Sequence, residues 1–190
     1  MFDKKYALFV NSGSSANLLG LAALQLDKGS ECITPSMTFN TTCSPIIQLG
    51  LNPIFCDVEL TTFVPDIDKH IKPLINKNTK IIMLPNLIGS RPDWKKLREL
   101  LIEINRTDIY LFEDNADSFC STKYSDLAIC SFYSSHIITC AGGSGCLFLN
   151  SKSLYEKAYS MMNWGRTQIG NSEKMEDRFN TVIELSLIHI

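Results

Sequence analysis

The sequence predicts an α/β fold with three layers, α/β/α, built around a mostly parallel sheet. Three observations carry that expectation. Short apolar runs alternate with longer amphipathic stretches along the chain, and alternation of strand and helix builds parallel sheets flanked by helices. One amphipathic stretch has a clear helical period, with Trp94, Leu97, Leu100, Leu101 and Ile104 at i, i+3, i+4 spacing behind Pro92. The first apolar run empties into a turn of small residues, Asn11 to Ser15. A parallel sheet collects its ligands at such places, beyond the carboxyl ends of its strands where loops feed helix N-termini.

Taken in chain order, Tyr6–Val10 is the first expected strand, and it begins so near residue 1 that little chain is left to cover its edge. A helix near Ser15–Leu26 follows the small-residue turn. Glu31–Thr34 and Pro53–Val58 are short apolar strands separated by a helix near Thr41–Leu49. Ile67–Ile75 reads as a surface helix containing His70, and Lys80–Pro85 as a buried strand. The periodic helix spans Asp93–Ile104. Strands at Asp108–Glu113, Leu127–Phe132 and Gly145–Leu149, then a helix at Ser153–Met162, complete the pattern. No repeat or low-complexity linker interrupts it.

A chain of 190 residues that is 45% hydrophobic and 20% charged has the material for a core. Its net charge of −2 offers no basic stripe for nucleic acid. Lysine pairs such as Lys4-Lys5 and Lys95-Lys96 read as solvated faces. The seven cysteines include no C-x-x-C pair, so neither a zinc site nor a thioredoxin-type centre is expected. Several lie in apolar runs as reduced core thiols, which fits a reducing cytoplasm. No apolar run reaches the ~18 residues of a membrane span, and the N-terminus lacks signal-peptide form.

Three segments have the residue types for chemistry. Val10-Asn-Ser-Gly-Ser-Ser-Ala-Asn17 joins a strand to a helix through residues that let backbone N–H groups approach an anion; a plain capped helix start would use the same residues. Ile109-Tyr-Leu-Phe-Glu-Asp114 ends an apolar strand in two acids. Because strand side chains alternate, one acid faces the crevice and the other faces away. The first suits a protonated ring nitrogen, a metal, or mere solvation of the strand end. Ser131 to Gly145 runs from a strand end through a polar turn to His136 and a glycine-rich return. Histidine there can act as acid or base near neutral pH, whereas His70 and His189 read as structural.

These elements and their order, with Pro35-Ser-Met-Thr-Phe39 between the first and second, resemble the fold type I pyridoxal-phosphate family of sugar aminotransferases, from about Phe9 to Arg166. The resemblance implies pyridoxal 5′-phosphate or its amine form, pyridoxamine 5′-phosphate, as cofactor. It assigns Gly13, Ser14 and Ser15 to the cofactor phosphate, Phe39 to stacking on the pyridine ring, and Asp114 to the pyridinium nitrogen. Ser131 supplies a further hydroxyl to the phosphate, and Asp117 stands near the ring. His136 falls where an aminotransferase has the lysine that bonds covalently to the cofactor. That exchange is similar to the nucleotide-sugar 3-dehydratase branch, which removes the 3-hydroxyl of a 4-keto-6-deoxyhexose on the way to 3,6-dideoxy sugars of surface polysaccharides. In that chemistry His136 takes a proton from the cofactor's methylene carbon and returns one to the departing hydroxyl.

The chain departs from the family pattern at Ser134 and Ser135, where relatives have proline in the turn, and at Gly142, where they carry an acid. The resemblance further implies a homodimer when full length and a nucleotide-sugar substrate. A reductase partner belongs to the iron–sulfur route, but only Cys140 and Cys146 follow the histidine, which favours the cluster-free route. The alternatives are a sugar aminotransferase using another base and a catalytically inactive relative that binds cofactor. Residues 1–184 are expected to form the large cofactor domain, incomplete at both ends, with the smaller C-terminal domain absent. Leu185-Ser-Leu-Ile-His-Ile190 resembles a translated sequencing adaptor and is expected to be a non-biological tail.

Overall fold

In a computed structural model, residues 2–165 are described; Arg166, His189 and the expected tail 185–190 lie outside them. The elements are β1 (Tyr6–Val10), α1 (Gly13–Ala23), β2 (Glu31–Pro35), α2 (Asn40–Gln48), β3 (Asn52–Cys56), β4 (Thr79–Pro85), α3 (Trp94–Glu103), β5 (Tyr110–Asn115), β6 (Leu127–Ser131), β7 (Gly145–Leu149) and α4 (Lys152–Met162). Among the described residues the strands form one sheet in the order β1-β7-β6-β5-β4-β2-β3. Neighbours from β6 to β3 pair parallel, while β7 runs antiparallel to both β6 and β1. The reversal has a simple cause. The loop between β6 and β7 contains no helix to carry the chain back across the sheet, so the return is antiparallel. β1 is an edge strand, as its position in the sequence suggests.

Two apolar layers sandwich the sheet. On one face Ala16, Leu19 and Ala23 of α1, Ile46 of α2 and Ala158 and Met161 of α4 pack over Leu8, Met83, Phe112, Ile129 and Leu147. On the other, Trp94, Leu97, Leu100 and Leu101 of α3 pack with Ile67 and Ile71 over Ile33, Ile82, Leu84 and Leu111. Strands covered on both sides are apolar almost throughout; all five residues of β6 are buried. Each fully buried Leu or Ile contributes about 1.5–3 kcal/mol.

Three expectations change in detail. α1 starts two residues early, because Ser12 caps it by accepting the N–H of Ser15. The expected helix Ile67–Ile75 is one π turn, Ile67–Ile71, followed by a 3-10 turn, Lys72–Leu74. Pro73 has no N–H to continue a regular ladder. His70 is structural there: its Nδ1 accepts the N–H of Asp66 at 3.1 Å. Lys4 is not a solvated lysine. It is half-buried and donates to the carbonyl of Thr122, and burial pushes its pKa below the usual lysine range. The seven cysteines are free thiols, four of them buried. No helix among the described residues is long and apolar enough to cross a membrane.

Candidate active site

β1, β2, β4, β5 and β6 all end on the same edge of the sheet, and the loops leaving them enclose a cavity of about 460 Å³. That is within the range of small-molecule sites. Gly13, Ser14, Phe39, Asp114, Asp117, Ser131 and His136 all line it, so residues from four separate segments converge. Among the described residues no lysine or arginine lines it.

At one end is the start of α1. Ser12 Oγ accepts from Ser15 N at 3.1 Å and donates to Ser15 Oγ at 3.0 Å. Ser15 does not line the cavity; its part in the turn is to hold the Ser12 cap. The N–H groups of Gly13 and Ser14 have no carbonyl one turn back and remain available to an anion. The turn is tightly enclosed. A Cβ on Gly13 would lie 2.8 Å from Ser131 Cβ, and one on Gly145 would lie 2.2 Å from the carbonyl oxygen of Ser12. Glycine at these places lets β6 and β7 press the turn from behind.

The floor is Asp114, 5% exposed. It shares a β5 face with Phe112, on the α1 side, while Glu113 faces α3. Burial raises the Asp114 pKa above the usual carboxylate range, and hydrogen bonds from Asn17, Thr42 and Ala116 oppose that rise. A buried carboxylate without a cationic side chain is costly unless a positively charged group joins it. Phe39, at the N-cap of α2, is 70% exposed and lines the cavity. Asp117 accepts the N–H of Ile88 at 3.2 Å. That bond secures a β-branched residue at φ 53°, a left-handed conformation that costs such a side chain about 1–2 kcal/mol.

His136 reaches the cavity from the loop after β6. Its backbone N–H donates to Tyr133 O at 2.9 Å, and its ring meets the Tyr133 ring edge-on with 5.9 Å between centroids. Its Nδ1 is buried without a partner. An imidazole lining a cavity is of the right chemical type to exchange a proton with whatever enters.

Sequence reasoning missed the residues behind this surface. Glu113 is fully buried and accepts from Thr122 N at 2.8 Å, Thr122 Oγ1 at 3.0 Å, Ser125 Oγ, and Asn86 Nδ2 at 3.1 Å. Asn86 also bonds Asn115 and Trp94 Nε1 and donates its backbone N–H to Asp114 O. Glu113 is therefore an internal anchor for the strand that presents Asp114 to the cavity.

The fold has known counterparts. The family model of the DegT/DnrJ/EryC1/StrS aminotransferases matches residues 1–185. A dTDP-4-dehydro-2,6-dideoxy-D-glucose 3-dehydratase of Saccharopolyspora spinosa is 37% identical over 180 residues, covering 87% of this chain and 38% of that protein. A GDP-4-keto-6-deoxy-D-mannose 3-dehydratase of Escherichia coli O55:H7 is 36% identical, over 81% of this chain and 42% of its own length. A crystal structure of GDP-4-keto-6-deoxymannose-3-dehydratase with a trapped PLP-glutamate geminal diamine superposes with a TM-score of 0.84 at 28% identity, covering 95% of this chain and 52% of that one. The chain thus spans 38% and 42% of the length of these two curated relatives. With a matching family model over nearly its whole length and the family's fold, the chain belongs to the DegT/DnrJ/EryC1/StrS aminotransferase family.

Proposed function

We propose that the protein carrying this chain dehydrates a nucleotide-linked 4-keto-6-deoxyhexose at C3, using pyridoxamine 5′-phosphate, in dideoxysugar synthesis for surface polysaccharide. The observation that carries the reading is His136 lining a cavity that no lysine of the described residues enters. Without a lysine the cofactor has no covalent anchor, and imidazole is a proton carrier rather than an amine nucleophile. The 3-dehydratases among the relatives point to the same substrate class.

The residues present fit such a cofactor on physical grounds. The open N–H groups of Gly13 and Ser14 and the Ser131 hydroxyl would hold its phosphate. Phe39 would cover one face of the ring. Asp114 would pair with the protonated ring nitrogen, which answers the buried carboxylate's lack of a cation. When bound, the group supplies an amine that joins the sugar ketone and a ring that accepts electron density. His136 then takes a proton at the methylene carbon next to that amine. As imidazolium it gives a proton to the departing 3-hydroxyl oxygen, so one residue serves as base and then acid.

The test is product analysis by mass spectrometry, with the whole protein, pyridoxamine 5′-phosphate and a nucleotide-4-keto-6-deoxyhexose. Loss of the 3-hydroxyl with no nitrogen retained is expected. A 4-amino sugar would instead establish an aminotransferase. Homodimerisation belongs to the same reading and is supported by the exposed apolar rim of Phe39, Ile88, Tyr133 and Ile137. Sedimentation showing a stable monomer of the whole protein would remove that part. A reductase is part of the proposal only if turnover needs an external electron donor.

A further inference from the structure

The cavity floor contains contacts that the chemistry above leaves unused. Asp114 Oδ2 accepts from Asn17 Nδ2 at 2.8 Å and from Thr42 Oγ1 at 2.9 Å, and Oδ1 accepts from Ala116 N at 3.1 Å. An ionised carboxylate offers about four lone-pair positions. Three are filled by neutral donors, so the one left open is on Oδ1.

The donors are themselves constrained. Asn17 Nδ2 makes a second bond, to Thr41 O at 3.2 Å. In a regular helix that carbonyl would accept from residue 45, but residue 45 of α2 is proline and has no N–H. Pro45 thereby leaves Thr41 O for the Asn17 amide. The amide cannot turn over without setting its own oxygen against the carboxylate, and Asn17 Oδ1 is accordingly buried without a partner. Thr42 Oγ1 receives a bond from Thr38 Oγ1 at 3.0 Å, which leaves its proton for Asp114. One set of bonds therefore registers α1, which starts at the anion turn, and α2, which starts at Phe39, against the end of β5.

We propose that Asn17 and Thr42 are positioning residues that hold the Asp114 carboxylate in one orientation and present its open Oδ1 position to the ring N–H of the cofactor. The inference rests on the cofactor reading for its ligand, but the clamp is testable without any ligand. The titratable groups around Asp114 are Asp117 and His136 on the cavity side, with Glu113 and Cys130 behind the strands.

The experiment has two arms, each on the native chain, Thr42→Val, Thr42→Ser and Asn17→Ala. In the first, the carboxyl 13C resonance of Asp114 is titrated without ligand. Removing a donor to the ionised form moves the midpoint up, so Thr42→Val and Asn17→Ala should shift it upward and Thr42→Ser should restore it. An unmoved midpoint overturns the clamp. The second arm compares binding of pyridoxamine 5′-phosphate with its 1-deaza analogue, which lacks the ring nitrogen. The native preference for the nitrogen-containing ring should fall about tenfold in Thr42→Val and Asn17→Ala and recover in Thr42→Ser. Equal weakening of both probes would mean a general loss of shape and overturns the positioning role. If native chain binds neither probe, the cofactor reading fails and the carboxyl titration alone decides the clamp.

Discussion

Replacing Gly145 by alanine tests whether the anion turn is held by close packing. The new Cβ would lie 2.2 Å from Ser12 O, 2.3 Å from Ser12 C and 2.6 Å from Gly13 N. Carbon contacts are comfortable at about 3.5–4.0 Å, so the deficit is about 1 Å. All three atoms are backbone, and no side chain can swing away. Either β7 or the turn must move. Overpacking of this kind costs about 1–3 kcal/mol, which for a domain of this size lowers Tm by roughly 2–12 °C. Displacing the Gly13 and Ser14 N–H groups also disturbs charge-assisted hydrogen bonds, each contributing about 1.5–3 kcal/mol, so affinity for pyridoxamine 5′-phosphate should drop about 10- to 100-fold. Thermal unfolding by circular dichroism and a fluorescence titration measure the two effects. Gly142→Ala is the control. Gly142 has φ 112° with no atom near its would-be Cβ, so strain there lowers Tm without pushing the turn. Native-like binding by Gly145→Ala would show that the turn does not depend on this contact.

Other consequences concern separate parts of the molecule. In the whole protein, His136→Asn should retain the cofactor, since the turn and Asp114 are untouched, and lose about 10²–10⁴-fold in turnover measured by product mass. His136→Lys should bond covalently to pyridoxal 5′-phosphate, seen as a mass increase after borohydride reduction; full activity of the Asn variant defeats the proton-carrier role. Glu113→Leu leaves the donors of Thr122, Ser125 and Asn86 without an acceptor and should cost about 3 kcal/mol or more in urea unfolding. Glu103→Leu on the exposed end of α3 should stay within about 0.5 kcal/mol. Asp108 is held down to a pKa of about 2, chiefly by its bond to Arg106. Its contribution is complete above the unfolded carboxylate pKa of about 3.9 and fades as pH falls through about 2, so the gap between native and Asp108→Asn should close over that window. The side chain is 48% exposed, which makes the gap small and salt-sensitive.

What could be read from the sequence was local. α3 was legible because its apolar period and Pro92 sit within one short window. The opposite aims of Glu113 and Asp114 follow from strand alternation alone, and His136 from its place between a strand end and glycines. Strand direction is not written in a strand, so the reversal of β7 was not read from the sequence, although the short stretch between Ser131 and Gly145 leaves no room for a crossover helix. The turn of α1 was placed two residues late because Ser12 reads as loop until its cap bond to Ser15 is seen. Asn17 and Thr42 were passed over for a different reason. Their partner Asp114 is 97 and 72 residues away in the chain, and no local pattern marks a polar helix residue as facing a buried acid. Lys4 meets Thr122 across 118 residues, beyond the reach of any charge-pattern rule.

The exceptions to ordinary local rules gather around the cavity, which itself argues for function. Pro45 interrupts a helix interior, Ile88 adopts a left-handed backbone, Phe39 is exposed, and Asp114 is an acid buried without a cation. Each is unfavourable alone, and sequences without a use for such features tend to lose them. Three of them are also tied together around Asp114 rather than merely adjacent. Asp117 secures the turn at Ile88, while the carbonyl freed by Pro45 receives the Asn17 amide that holds Asp114. Phe39 begins the helix that supplies Thr42. Relieving any one should therefore weaken the chain's hold on the cofactor. Asp114→Asn is the sharpest case, because it removes the buried charge and keeps the outline. Its amide oxygen can still accept from Asn17 and Thr42, but its NH2 group meets the N–H of Ala116, so the gain from the lost charge is offset by a lost acceptor. It should abolish the extra protection against unfolding given by pyridoxamine 5′-phosphate. If Asp114→Asn were instead protected by the ligand as well as the native chain is, the carboxylate would be a structural group and the ring-nitrogen pairing would have to be abandoned.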